Sequence, residues 1–169
     1  MNEMSVKLNE IANKKEPVVA FRGTGVKDSG SANEQSVNKR GEFEQNSYSN
    51  FYDIKLSVIW KNIDYNIGDG YDSINGKFTA PVDGIYFFHS HGWAYGTNEA
   101  YIRFLVNGSN KVIAHRNQDT GEYDTVTLTA QFKLNKGDTV NAYFGGKFYS
   151  PIRSDHAYFE GNLIRQING

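Results

Sequence analysis

Residues 76–88, Gly-Lys-Phe-Thr-Ala-Pro-Val-Asp-Gly-Ile-Tyr-Phe-Phe, carry the strongest structural signal in this chain of 169 residues. The pattern predicts a short half-buried strand over residues 76–79. Pro81 supplies no amide hydrogen and ends the ladder, and residues 82–84 then turn the chain into a dense aromatic strand. We therefore expect a stiff corner between two strands of a β-sandwich.

Apolar and polar side chains alternate along much of the chain after residue 51. Successive side chains of a β-strand point to opposite faces, so this alternation indicates strands with one buried face and one wet or interfacial face. Turn signals at residues 96–98, 107–108, 121 and 136–138 separate the strands at regular intervals. The pattern predicts an all-β, two-sheet antiparallel sandwich. Its clearest inward-facing set is Val126, Leu128, Ala130, Phe132 and Leu134.

The composition excludes several classes of protein. The chain has 18 Lys and Arg against 19 Asp and Glu, a net charge of −1, so it lacks the basic surface that binds nucleic acid. No run of residues approaches the ~18 consecutive apolar residues that a membrane helix requires. The absence of cysteine excludes disulfides, thiol catalysis and cysteine-ligated zinc. We expect neither a nucleic-acid partner nor membrane insertion.

Residues 66–88, NIGDGYDSINGKFTAPVDGIYFF, resemble the signature of the globular C1q domain. This domain is the head module of complement C1q, of short-chain collagens and of many invertebrate soluble lectins, and it is built like tumour necrosis factor. Further matches extend the resemblance over roughly residues 18–167. The spaced positions of the signature are met by Asn66, Tyr71, Phe78, Gly84, Tyr86 and Phe88.

The resemblance implies a C1q/TNF-like jelly roll, a compact homotrimer and secretion to the extracellular space. It also implies a non-enzymatic recognition protein similar to the invertebrate C1q-domain lectins, which bind glycans on microbial or cell surfaces in innate immunity. The alternative that it leaves open is a cytokine-like or structural extracellular trimer that binds a protein partner.

Two regions depart from the strand pattern. Residues 1–16 place Met1, Met4, Leu8 and Ile11 at coiled-coil spacing before Pro17, which indicates a short helical stub, with a disordered tail as the alternative. Residues 27–50 are rich in Ser, Asn and Gly and predict a long polar surface connection. The globular domain is expected over residues 17–169. The first ten residues lack the form of a secretory signal, so a secreted protein of this sequence would be a mature or trimmed form.

No residue pattern favours an enzyme. The chain has four histidines and neither a nucleophile elbow nor a phosphate loop. His89 and His91 are two apart in a predicted strand, so they face the same side and are a potential metal pair, but no third ligand lies nearby in the sequence. Packing with hydrogen bonds is the favoured interpretation of both imidazoles.

The acidic hairpin at residues 119–124 is the candidate metal site. Asp119, Glu122 and Asp124 flank a glycine turn and offer the hard oxygen ligands that calcium prefers. In some of the relatives that the chain resembles, calcium sits on this loop near the trimer axis. A solvated turn is the alternative. We expect that no cofactor is required and that calcium is the one candidate ion.

Two segments combine aromatic faces with polar groups, as glycan recognition requires. The first covers residues 93–99 and the second covers residues 148–156, and both are predicted to be loops at strand ends. Aromatic residues in such loops also serve as core lids or subunit contacts, and that interpretation stays open. Tyr101, Tyr143 and Tyr158 are predicted at subunit interfaces. The candidate glycan-binding residues are Trp93, Tyr95, Tyr149, Arg153 and Asp155.

Overall fold

The computed structural model describes residues 17–26, 44–45, 51–95, 99–116, 123–149 and 155–167. Within these ranges the chain forms twelve strands and no helix. The strands are β1 (Ala20–Val26), β2 (Glu44–Gln45), β3 (Phe51–Ser57), β4 (Trp60–Ile67), β5 (Tyr71–Asp72), β6 (Lys77–Thr79), β7 (Gly84–Tyr95), β8 (Ala100–Val106), β9 (Ser109–Arg116), β10 (Tyr123–Leu134), β11 (Thr139–Tyr149) and β12 (Ala157–Gln166). The predicted tail at residues 1–16 lies outside the described residues, as does most of the polar connection at 27–50, apart from β2 within it.

The strands form two antiparallel sheets. Sheet I has the order β4-β1-β12-β7-β10, and sheet II has the order β2-β3-β11-β8-β9, with β6 and β5 added beside β11. A single ladder contact between Phe148 and Ala94 joins the two sheets at one place. The predicted all-β sandwich is therefore confirmed, and its connections are those of a jelly roll.

Residues 76–88 form the predicted corner. Strand β6 pairs with β11 in sheet II, whereas β7 pairs with β10 and β12 in sheet I. Between them, the Ala80 amide donates to the Asp138 carbonyl at 2.9 Å, and the Tyr86 hydroxyl donates to the Val82 carbonyl at 2.8 Å. The corner thus carries the chain from one sheet to the other, and its polar groups are satisfied locally.

The core between the sheets is largely aromatic. Phe88 lies at its centre, with its ring centroid 5.4 Å from that of Phe78, 6.0 Å from that of Phe159 and 6.2 Å from that of Phe104. Burial of such rings is the main source of stability in a sandwich of this kind. The predicted alternation of β10 is also confirmed, because its inward-facing set is buried or partly buried and the intervening residues are exposed. None of the described segments is a helix that could span a membrane.

Candidate recognition surface

The outer face of sheet I carries four of the residues that the sequence singles out, namely His89, His91, Trp93 and Tyr158. Because β7 alternates, Tyr86 and Phe88 point into the core, and every second residue from Ile85 to Trp93 lies on the outer face. Strands β12, β1 and β4 continue this face on one side of β7, and β10 continues it on the other side. Along the strands, the face divides into an apolar end, a polar middle and an aromatic end.

The apolar end combines side chains from three strands. Ile85 and Phe87 of β7 are half-buried, and Ile164 of β12 is 47% exposed. On the edge strand β4, Ile67 is also exposed. Large apolar side chains gathered on one face of a central sheet are typical of a surface that another molecule covers.

The polar middle is a network of ion pairs and hydrogen bonds. Arg22 forms ion pairs with Asp64, at 3.3 Å, and with Glu160, and its guanidinium lies 4.3 Å from the centre of the Tyr158 ring. The imidazole of His89 contacts the Tyr158 hydroxyl and the Thr129 hydroxyl, each at 2.9 Å. The arrangement fixes these side chains relative to one another on the outer face.

His91 completes this network. Its ring stacks on Tyr158, with centroids 5.3 Å apart, and its Nδ1 lies 3.2 Å from the Thr127 hydroxyl. Burial lowers the pKa of His91, and the neighbouring His89 and His156 lower it further. Across the described part of the chain, no group of three His, Asp or Glu side chains is arranged to hold a metal ion. The prediction that His89 and His91 are packed and hydrogen-bonded is confirmed.

The aromatic end lies where β7 finishes and β12 begins. The Trp93 ring stacks on His156, with centroids 4.7 Å apart and an interplanar angle of 6°. Tyr123, which is 55% exposed, lies beside Trp93 with centroids 6.4 Å apart. An Asp155 carboxylate oxygen lies 3.9 Å from Nε2 of His156. A supported indole beside an exposed phenol and a carboxylate has the chemistry to stack on a sugar ring and hydrogen-bond its hydroxyls.

The structure places two of the five predicted glycan-binding residues, Trp93 and Asp155, at this end but alters the setting of the segment around Trp93. The prediction that Trp93 and Tyr95 lie in a loop is wrong, because β7 stays paired with β10 as far as the contact of Tyr95 with Tyr123. Tyr149 likewise ends β11, which meets β7 nearby through Phe148. Asp155 lies in the turn before β12. Arg153 lies outside the described residues, and only the backbone is described at Tyr95 and Tyr149.

The sequence prediction missed two residues of the aromatic end, Tyr123 and His156. His156 falls within the polar segment at residues 148–156, and Tyr123 falls within the acidic hairpin. The sequence alone does not reveal that either residue lies near Trp93, because this proximity depends on how the strands pair. Thr125 pairs with Trp93 in the ladder between β10 and β7. Tyr123 lies two residues before Thr125, so this register places Tyr123 close to Trp93.

The acidic hairpin is described only in part. Asp119 and Glu122 lie outside the described residues. The Asp124 carboxylate accepts hydrogen bonds from Nε of Arg116 at 3.0 Å and from the Thr125 amide at 2.7 Å. The hydrogen bond from Thr125, together with Arg116, lowers the pKa of Asp124. Both oxygens of Asp124 therefore already serve protein donors, and the calcium site stays a prediction.

The fold is that of a jelly-roll domain. The family model described as the C1q domain matches residues 34–164. The chain therefore belongs to the C1q domain family, as its signature residues predicted.

Individual relatives agree with this assignment. The chain is 30% identical over 112 residues to the protein named complement C1q tumor necrosis factor-related protein 3 of Mus musculus, a match that covers 66% of this chain and 44% of the relative. The Homo sapiens protein of that name matches with the same identity and coverage. The chain thus spans less than half the length of these relatives.

Similar solved structures share the fold at low sequence identity. The globular domain of zebrafish complement 1qA superposes with a TM-score of 0.58 at 18% identity, covering 89% of this chain and 99% of that one. Murine APRIL gives a TM-score of 0.56 at 11% identity, covering 87% and 99%. Eiger TNF from S. frugiperda gives 0.54 at 7% identity, covering 91% and 97%. At these identities the likeness shows the fold alone.

Proposed function

We propose that this protein is a secreted, extracellular recognition protein that binds glycans on microbial or cell surfaces as a homotrimer and catalyses no reaction. The observation that carries the proposal is the aromatic end of sheet I, where Trp93 lies between Tyr123 and His156 and the Asp155 carboxylate lies beside His156. Aromatic faces supply the apolar contact with sugar C–H surfaces, and the carboxylate supplies hydrogen bonds to hydroxyls.

The apolar end of the same face supports the homotrimer. Phe87, Ile164 and Ile67 leave apolar area on a central sheet, and a second copy that covered them would remove this area from water. A closed cyclic assembly uses one pair of surfaces for every contact between its subunits. Three copies would also multiply weak glycan sites into useful avidity.

The alternative is an extracellular trimer that binds a protein partner and no sugar. The similarity to the complement C1q tumor necrosis factor-related proteins favours it, because their name relates them to tumour necrosis factor. Glycan binding and protein binding predict different responses to the same substitutions at the aromatic end.

The assembly is tested with two matched isoleucine substitutions. Ile164→Glu places a charge on the apolar end and should convert the trimer to monomers in analytical ultracentrifugation. Ile74→Glu is the control, because Ile74 is 85% exposed in the turn between β5 and β6, away from this face. A wild-type protein that sediments as a monomer, or a trimer that Ile164→Glu leaves intact, would contradict the proposed interface.

Glycan binding is tested on a glycan array with the assembled protein. Trp93→Ala and Tyr123→Ala should each weaken binding at least about tenfold, which is about 1.4 kcal/mol. Ile74→Ala, in the exposed turn between β5 and β6, is the control and should bind as the wild type does. Arg153→Ala is expected to weaken binding of acidic sugars only. An array without signal, alongside tight capture of a purified extracellular protein, would favour the alternative.

A further inference from the structure

The outer face of sheet II carries a second cluster, formed by Tyr101, Arg103 and Tyr143. In the ladder between β8 and β11, Tyr143 lies opposite Arg103, and Gly145 lies opposite Tyr101. The two tyrosine rings are nearly parallel, with an interplanar angle of 9° and centroids 6.2 Å apart. The Tyr101 ring lies over Gly145, where any Cβ would overlap it. Because residue 145 is glycine, the Tyr101 ring can pack flat against the outer face of sheet II.

Arg103 is held by these two rings, and no acid of the described segments contacts it. Its guanidinium carbon lies 4.5 Å from the centre of the Tyr101 ring and 4.8 Å from that of Tyr143. Its Nε is buried without a hydrogen-bond partner, and no ion pair to Arg103 occurs within the described ranges. By contrast, Arg22 pairs with Asp64 and Glu160 on sheet I. Arg103 is thus an oriented cation whose Nε donor has no partner among the described residues.

One side of the cluster is apolar, and the other side is polar. Ile113 of β9 lies opposite Arg103 and is 52% exposed, and Leu105 of β8 is partly exposed on the same face. On the other side, His115 lies beside Tyr101 with ring centroids 6.1 Å apart, and its Nε2 contacts a carboxylate oxygen of Glu99 at 2.8 Å. Tyrosine and arginine are enriched among the residues that contribute most of the binding energy in protein interfaces.

We propose that this cluster docks an acidic segment of a protein partner, with a carboxylate on Arg103 and a neighbouring apolar side chain on Ile113. The charge of Arg103 selects an anion, and the planar guanidinium matches the two oxygens of a carboxylate. The rings hold the guanidinium in place, so little side-chain entropy is lost on binding.

This docking surface is independent of the proposed glycan site. The two lie on opposite outer faces of the sandwich, sheet II and sheet I. If this chain binds a glycan through sheet I, the outer face of sheet II remains available to a protein partner. Failure of either proposal leaves the other standing, since they share no residue.

The test follows the Nε–H resonance of Arg103 by NMR in the ¹⁵N-labelled full chain. The probe is the capped dipeptide acetyl-Glu-Leu-amide, and the neutral comparison is acetyl-Gln-Leu-amide. The glutamyl peptide should shift the Arg103 resonance in a saturable way and bind at least about tenfold more tightly than the glutaminyl peptide. Equal effects of both peptides, or no shift at Arg103, would overturn the proposal.

Two substitutions and one further probe complete the test. Arg103→Gln should abolish binding of the glutamyl peptide, and Arg103→Lys should weaken it, because lysine keeps the charge but lacks the planar pair of donors. Arg165→Gln, at an exposed arginine of sheet I, is the matched control and should bind as the wild type does. Glucuronic acid is the third probe. If it binds at Arg103 and the glutamyl peptide does not, the site serves an acidic sugar and the proposal of a protein partner is wrong.

Discussion

Gly92 lies in β7 between His91 and Trp93, and its buried side faces the core where the two sheets approach each other. A Cβ at this position would lie 2.6 Å from Cε1 and 2.7 Å from Cδ1 of Phe148, and 3.0 Å from Cε2 of Phe144. The rings of Phe144 and Phe148 pack on each other with centroids 4.8 Å apart, and both are fully buried. Neither ring has room to move away, so we expect Gly92→Ala to destabilise the fold.

The size of the effect follows from the overlap of a single methyl group with two packed rings. Overpacking of this kind costs about 1–3 kcal/mol. For a domain of this length each kcal/mol lowers the melting temperature by about 2–4 °C, so the expected decrease is about 2–12 °C. The melting temperature is measured by thermal unfolding and the free energy by urea unfolding. Both are followed by far-ultraviolet circular dichroism, because the fluorescence of Trp93 also responds to the local change.

A double-mutant cycle with Phe148→Leu tests the cause. If the Phe148 ring is the obstacle, Gly92→Ala should cost at least about 1 kcal/mol less in the Phe148→Leu background than in the wild type. The reasoning fails if Gly92→Ala leaves the unfolding midpoint unchanged, or if its cost is the same in both backgrounds.

Three further predictions concern charge. The pKa of His91 is lowered in the folded state. Between about pH 7 and about pH 5 the unfolded chain therefore binds more protons than the folded chain, so the free energy of unfolding should decrease as the pH falls through that range. The slope of the urea midpoint against pH should flatten in His91→Gln, and an unchanged slope would contradict the assignment. Asp124→Asn should lower the free energy of unfolding in urea by about 1 kcal/mol, because the Arg116 side chain is 4% exposed and loses a charged partner. The effect is no larger because the Asp124 side chain itself is exposed. Full stability of that variant would show that the pair contributes nothing. Calcium at millimolar concentration should raise the melting temperature if Asp119, Glu122 and Asp124 bind it, and the double variant Asp119→Asn/Glu122→Gln should remove the increase. Identical melting curves with calcium and with chelator would exclude the site.

Local signals in the sequence were sufficient for the corner at residues 76–88 and for the inward face of β10. Pro81 ends a ladder wherever it occurs in a sheet, and a period of two separates the faces of any strand. Those rules need no knowledge of neighbouring strands, and for this reason the sandwich and its core residues were predicted correctly.

The length of β7 was not predictable in the same way. Trp93 and Tyr95 follow a glycine and precede a segment with turn residues, which favoured a loop. The ladder with β10 extends the strand through both residues, because backbone pairing with a distant segment overrides a weak local preference.

The sequence by itself determined that this chain is a β-sandwich of the C1q type, with a proline-ended corner, an aromatic core and alternating faces. Only the tertiary structure decided which outward residues meet. Trp93 reaches His156, and Arg103 lies between Tyr101 and Tyr143, because the registers of β7 with β12 and of β8 with β11 align residues that are far apart in the chain. The physical reason is that a strand's alternation specifies its two faces, whereas its neighbours and their register depend on how the whole core packs.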